Sequence, residues 1–211
     1  MVKIKLDGVR EELRKYANKD KAKVLRGFFK TGPGEYGEGD IFLGVTVPLT
    51  RKTAKEFRDL SLKDTIKLLH SKIHEERLLA LLILILQFDQ ASPQNKKRIY
   101  KAYLRNTKFI NNWDLVDLTA PKIVGEYLVT QDRGLLHKLA KSSLLWDRRI
   151  AILATFAFIK RDDFDDLFKI VKILISDPED LIQKACGWML REVGKRDLNA
   201  EERFLSKNFK V

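Results

Sequence analysis

The sequence predicts an all-α fold of stacked helical pairs, and three observations carry that expectation. Apolar residues recur at three- and four-residue spacing along almost the whole chain. No stretch makes a convincing strand. The helical stretches are short, joined by short turns, and pair off at roughly 35–45 residues, the range of HEAT-type repeats. One domain over 1–211 is therefore expected, an α-solenoid of HEAT-like repeats with a concave basic face able to hold a duplex.

The elements follow in order. VREELRKYA, KAKVLRGFF, TRKTAKEFRDL and LKDTIKLLH each carry one apolar stripe. HEERLLALLILILQF is apolar nearly all round, which calls for a central helix buried on several sides. Then come PQNKKRIYKAYLRN, WDLVDLTAPKIVGEYL, RGLLHKLA, LLWDRRIAILATFAFIK, DDLFKIVKILIS, PEDLIQKACGWMLREVG and AEERFLSKN. Pro93 and Pro178 sit where helices start, and Pro121 should kink or split its helix, because proline has no N–H to continue the ladder. Residues 29–48, FKTGPGEYGEGDIFLGVTVP, break the pattern with five glycines and two prolines. No Gly-Lys-Ser/Thr follows and Glu35, Glu38 and Asp40 lie in the middle, so this is a poor phosphate cradle; it reads first as a structured connector.

Composition narrows the function. Hydrophobic residues at 45% and charged residues at 33% suit a globular protein with a real core over 211 residues. The single cysteine, Cys186, excludes a disulfide framework or a cysteine-rich zinc site. The apolar run Leu78–Leu86 is far short of the roughly 20 residues that span a bilayer. The start, MVKIKLDGVR, has no apolar stretch of the secretory kind, so a cytoplasmic protein is expected; no membrane partner and a monomeric state are expected as well. Forty-one Lys and Arg against 29 Asp and Glu give a net charge of +12, which favours an anionic partner, nucleic acid first. Residues 91–110 hold Lys96, Lys97, Arg98, Lys101, Arg105 and Lys108 and no acid.

Two stretches carry candidate chemistry. In FINNWDLVDLTAPKIVGEYL, Trp113 and Asp117 are four apart and share a helix face, an aromatic beside an anion. In QKACGWMLREVGK, Lys184, Trp188, Arg191 and Lys195 follow 4-3-4 spacing on one stripe, the interleaving of cations and an aromatic that backbone binding needs. The competing reading of each is a core tryptophan beside solvated or snorkelling charges. Gly187 weakens the second helix and would let something approach closely. In SSLLWDRRIAIL, Trp146 reads as core and Arg149 as able to reach a phosphate. His70 and His74 are four apart without an HExxH pattern, Cys186 reads as packing, and DDFDD at 162–166 reads as a solvated helix start without EF-hand spacing. No metal or cofactor is expected.

NNWDLVD, WDRRIAI and IQKACGWMLRE, in that order, resemble the bacterial AlkD-like DNA alkylation repair glycosylases, which have a HEAT-like repeat fold. GEYGEGDIFLGVTVP followed by Arg51 resembles the N-terminal signature of the same family. The resemblance implies a glycosylase of base excision repair that acts on double-stranded DNA with alkylated bases and works from the sugar side with the base left stacked. It implies that Trp113 packs against the lesion-bearing deoxyribose, that Asp117 is the catalytic carboxylate and that Trp188 is the other aromatic wall. It also implies that Arg149 and Arg191 hold the DNA backbone; Lys184 and Lys195 join them as DNA-binding residues through the stripe they share with Arg191. Elementary electrostatics agrees, since an N3- or N7-alkylated purine is cationic and leaves readily while the sugar becomes an oxocarbenium ion. A carboxylate about 4 Å from that charge is worth roughly 4 kcal/mol at an effective dielectric near 20, or about a thousandfold in rate. Two other readings stay open: a non-catalytic relative that binds damaged or branched DNA, and a helical-repeat scaffold for protein partners.

Overall fold

A computed structural model describes residues 5–208. Among them there is no strand, only an isolated bridge between Ile41 and Ile73. The all-α expectation holds, with consecutive helices packed on one another as in HEAT-like repeats. The chain divides into two compact units, residues 1–115 and 116–211.

The first unit holds α1 (Leu6–Arg14), α2 (Lys19–Phe28), α3 (Val47–Glu56), α4 (Leu62–Leu69), α5 (His74–Gln90) and α6 (Pro93–Leu104). Side chains start several of them: Asn18 accepts from the Lys21 N–H at 2.9 Å, and Ser61 from the Asp64 N–H at 3.1 Å. Ser92 precedes Pro93 at the first position of α6, where the missing N–H costs nothing. The all-round apolar helix is α5, against which α3, α4 and α6 pack, and every residue from Leu78 to Ile85 is buried. Each such leucine or isoleucine contributes about 1.5–3 kcal/mol of burial.

The first turn of α5 is also buried, although its sequence is His74-Glu75-Glu76-Arg77. Four charged or ionisable residues inside a core must be answered by partners, and each is. Glu75 accepts from the backbone N–H groups of Leu43, Gly44 and Val45 at 2.7 to 3.2 Å. Glu76 takes Arg10 and Arg14 of α1, each at 3.1 Å. Arg77 donates to Asp40 at 2.7 Å and to the Ser71 carbonyl at 3.1 Å. The glycine-rich segment is thus an ordered connector strapped onto α5. Gly44 has φ +80°, and a Cβ there would collide with the Asn18 carbonyl, so only glycine lets the strap pass this close to α2.

A seventh helix, α7 (Trp113–Thr119), runs across the boundary between the units. After it the chain widens into a π-helical stretch, Ala120–Gly125, before α8 (Glu126–Leu128). Pro121 is the cause: without an N–H it cannot continue the α ladder, so the helix splits as its sequence demanded. Beyond lie α9 (Gly134–Leu139), α10 (Leu145–Ala154), α11 (Phe156–Ile159), α12 (Asp165–Leu174), α13 (Asp180–Gly194) and α14 (Leu198–Asn208). A Cβ on Gly125 would strike the Ala154 carbonyl, so this glycine lets α10 lie directly against the π-helical stretch. The acidic run that leads into α12 and opens its first turn is not merely solvated. Asp163 and Asp166 both accept from Arg133, at 2.6 and 2.9 Å, because two carboxylates so close need a shared cation.

Candidate active site

Asp117 and Arg149 are brought together. Asp117 lies on α7, next to the π-helical stretch, and Arg149 on α10, which packs on that stretch. The guanidinium forks onto the carboxylate, Nε to Oδ1 and Nη2 to Oδ2, both at 2.8 Å. Its Nη1 donates to the Leu181 carbonyl in the first turn of α13. The Arg149 side chain is 6% exposed and that of Asp117 is 16% exposed. A planar two-pronged pair of this kind fixes the direction of the carboxylate as well as its charge. The resemblance gave Arg149 to a phosphate; in this structure its nearest partners are Asp117 and a backbone carbonyl.

Trp113, the first residue of α7, is half-buried in the first unit. Its indole Nε1 donates to the Tyr36 hydroxyl at 3.2 Å, so the glycine-rich segment holds the ring by its polar edge. Phe28 and Phe29 pack against it with ring centroids at 5.8 and 5.3 Å. Phe28 is 60% exposed, a large apolar ring that α2 presents to solvent beside the indole. The next residue, Asp114, accepts from His74 Nε2 at 2.8 Å.

Trp188, on α13 in the second unit, is also half-buried. Its Nε1 donates to Glu192 one turn on, at 3.1 Å, and the same oxygen of Glu192 accepts from Lys195 at 2.7 Å. The Lys195 ammonium is the main cause holding the Glu192 carboxyl below its ordinary value. Lys184 pairs with Asp180 at 2.7 Å, with both side chains mostly exposed, and Arg191 is exposed on the same helix. Gly187 is exposed too, and a Cβ there would meet nothing within 4 Å. Among the described residues nothing requires a glycine at this point.

The remaining candidates sort by burial. Trp146 is buried, as its core reading expected. Burial pushes the Cys186 thiol up to about 12, so it stays protonated and inert. Among the described residues no group of three or more His, Cys, Asp or Glu side chains could hold a metal, and no helix is long and apolar enough to cross a membrane. Sequence reasoning missed His74, Asp114, Asp40, Tyr36, Phe28 and Glu192. The signal for His74 was present in HEER, since charged or ionisable residues heading a helix that is apolar all round must have buried partners; nothing local marked Asp114 or Asp40.

The sequence profile of the family described as DNA alkylation repair enzyme matches residues 9–211. Among solved structures, the fold is similar to that of a predicted DNA alkylation repair enzyme from Enterococcus faecalis, with a TM-score of 0.70 at 19% identity. The similarity covers 92% of this chain and 91% of that one. Among curated proteins none matches.

Proposed function

Because the chain belongs to the AlkD-like DNA alkylation repair family, we propose that it is a DNA glycosylase that hydrolyses the N-glycosidic bond of cationic N3- or N7-alkylated purines in double-stranded DNA. The observation that carries this reading is the fork that fixes Asp117, one helical turn beyond Trp113 on α7. A carboxylate held in this way needs no reorganisation when positive charge develops on the sugar, which is what makes such stabilisation effective. Arg149 serves first to orient Asp117. It also offsets part of the carboxylate's field, so the roughly 4 kcal/mol of a bare charge at 4 Å is an upper bound. Asp117 can further position the attacking water, whose proton it accepts as the new C–O bond forms.

The indoles supply the other terms. The electron-rich faces of Trp113 and Trp188 add a smaller attraction for the sugar cation, and the hydrogen bonds from their ring N–H groups to Tyr36 and Glu192 fix the rings. Phe28, exposed beside Trp113, extends that apolar wall. Arg191, Lys184 and Lys195 are the backbone contacts: Arg191 is exposed, and the other two hold local ion pairs that a phosphate can replace. No general acid is needed for a leaving group that is already cationic.

The second reading is a relative that binds damaged or branched DNA without excision, and the charge that Arg149 sets against Asp117 is what favours it. One assay separates the two. A duplex carrying a single 7-methylguanine is incubated with the protein and then treated with alkali, which cleaves at any abasic site. Strand cleavage at the lesion is expected; tight binding without cleavage would establish the second reading.

A further inference from the structure

His74 has a setting that the proposed chemistry does not use. It is 2% exposed at the head of α5, with its ring between two carboxylates: Nε2 lies 2.8 Å from Asp114 and Nδ1 3.4 Å from Asp40. Phe29 and Phe42 stack on the imidazole with centroids at 5.0 and 4.6 Å, which fixes the plane in which its two nitrogens point. The ionisable and charged groups that face it are Asp40 from the glycine-rich segment, Asp114 from α7, and Arg77 from its own helix, reached through Asp40 at 2.7 Å.

A neutral imidazole has one N–H and one lone pair. Between two carboxylates it can satisfy one and must turn its lone pair toward the other, a repulsive arrangement in a dry site. The imidazolium donates to both. With Arg77 it also balances the cluster, two cations against Asp40 and Asp114. Burial works against the charge, but the hydrogen bonds to Asp114 and Asp40 outweigh it and hold the His74 pKa above the ordinary histidine value.

Asp40 and Asp114 belong to two segments that both bear on Trp113. Asp114 follows it on α7, and the segment that carries Asp40 also carries Tyr36, which holds the indole N–H. We infer that His74 is a positioning residue: in its doubly donating, charged form it ties the glycine-rich segment to the head of α7 and so sets how Trp113 is presented to DNA. This rests on the reading of Trp113 as the wall that meets the lesion-bearing sugar. The bridge is complete while the ring carries its charge and both carboxylates accept from it. Because the folded-state pKa lies above the unfolded one, its contribution is present in full below the ordinary histidine value and is lost as pH rises through the folded value.

The test uses the full chain, its His74→Gln variant, which donates from one side only and carries no charge, and Asp114→Asn, which keeps the shape of the partner. Single-turnover release of 7-methylguanine is followed from pH 6 to 10 beside hydrogen exchange of residues 31–45 and the first turn of α7. In the wild type, release should fall along an alkaline limb while those amides open in step. In His74→Gln that limb should be absent, release lower by on the order of ten- to a hundredfold, and the same amides open at every pH. Wild-type rates and profile in a folded His74→Gln protein, or exchange indifferent to both pH and substitution, would overturn the inference. Should His74→Gln fail to fold, Asp114→Asn and the nitrogen NMR of the His74 ring decide: both nitrogens must carry protons at pH 6, and a neutral ring there overturns the inference. A wild type that releases no base at any pH would refute the glycosylase reading alone, since exchange and NMR still read the bridge.

Discussion

The two units solve one problem, a buried charge beside a tryptophan helix, in different ways. In the first, a relay of hydrogen bonds does so: Asp40 accepts from Arg77 and from His74, and His74 also donates to Asp114. In the second, one guanidinium forks onto one carboxylate, Arg149 onto Asp117. The relay joins segments distant in sequence, so it fixes where backbone lies. The fork joins two side chains, so it fixes where a single charge points. The first suits presentation of a ring, the second suits chemistry at a carboxylate, and substitutions in the two should differ in kind.

The largest effect is expected where the fork is cut. Arg149→Ala removes two hydrogen bonds at 2.8 Å from a mostly buried carboxylate, which should cost about 3–5 kcal/mol of stability. Chemical unfolding would measure it. Arg77→Ala should cost less, because Asp40 keeps its hydrogen bond from His74; equal losses would break the distinction between relay and fork.

Next comes the carboxylate itself. Asp117→Asn keeps its shape and removes its charge, so single-turnover release should fall about ten- to a thousandfold. Duplex affinity should change little, since a carboxylate does not attract phosphate. Unchanged release in a folded variant would take Asp117 out of the mechanism.

Smaller effects test the surface of α13. Arg191→Ala should lower the slope of log affinity against log salt by about 0.9, one phosphate contact, and weaken all duplexes alike. An unaltered slope would put Arg191 away from the backbone. Gly187→Ala meets no protein atom, so it should raise helix stability by about 0.5–1 kcal/mol. Duplex affinity should nevertheless fall if DNA approaches the helix there, and affinity that rises with stability would remove that approach.

Periodicity made the helices legible. Apolar spacing fixed nearly all of them, the all-apolar run named α5 as central, and Pro121 marked the break that became a π-helical stretch. The candidate residues were legible only as types and spacings. Trp113 and Asp117 were visible because both lie within one helical turn. The partnership of Asp117 with Arg149 was not, because those residues are 32 apart and meet only through the packing of α10 on the π-helical stretch. By spacing alone His74 reads only as half of a histidine pair four residues apart. Its two carboxylates lie 34 residues before it and 40 after it, and no local pattern joins them. The glycine-rich segment was readable as a connector, yet what it connects depended on Glu75 gathering three backbone N–H groups that no side-chain pattern announces.

On the proposed mechanism, positive charge on the lesion, rather than fit in a pocket, decides what is removed. In the proposed mechanism Asp117 and the indoles stabilise a departing sugar cation, and no group is assigned to protonate a leaving base. The direct measurement is the single-turnover release rate across duplexes identical except for one base: 7-methylguanine, 3-methyladenine, a bulkier cationic N7 adduct, uracil, hypoxanthine and 8-oxoguanine. The three cationic bases should be released and the three neutral ones retained, with the bulky adduct cleaved because no pocket need enclose it. Efficient release of uracil or hypoxanthine would contradict the account, even in a protein that proved to be a glycosylase.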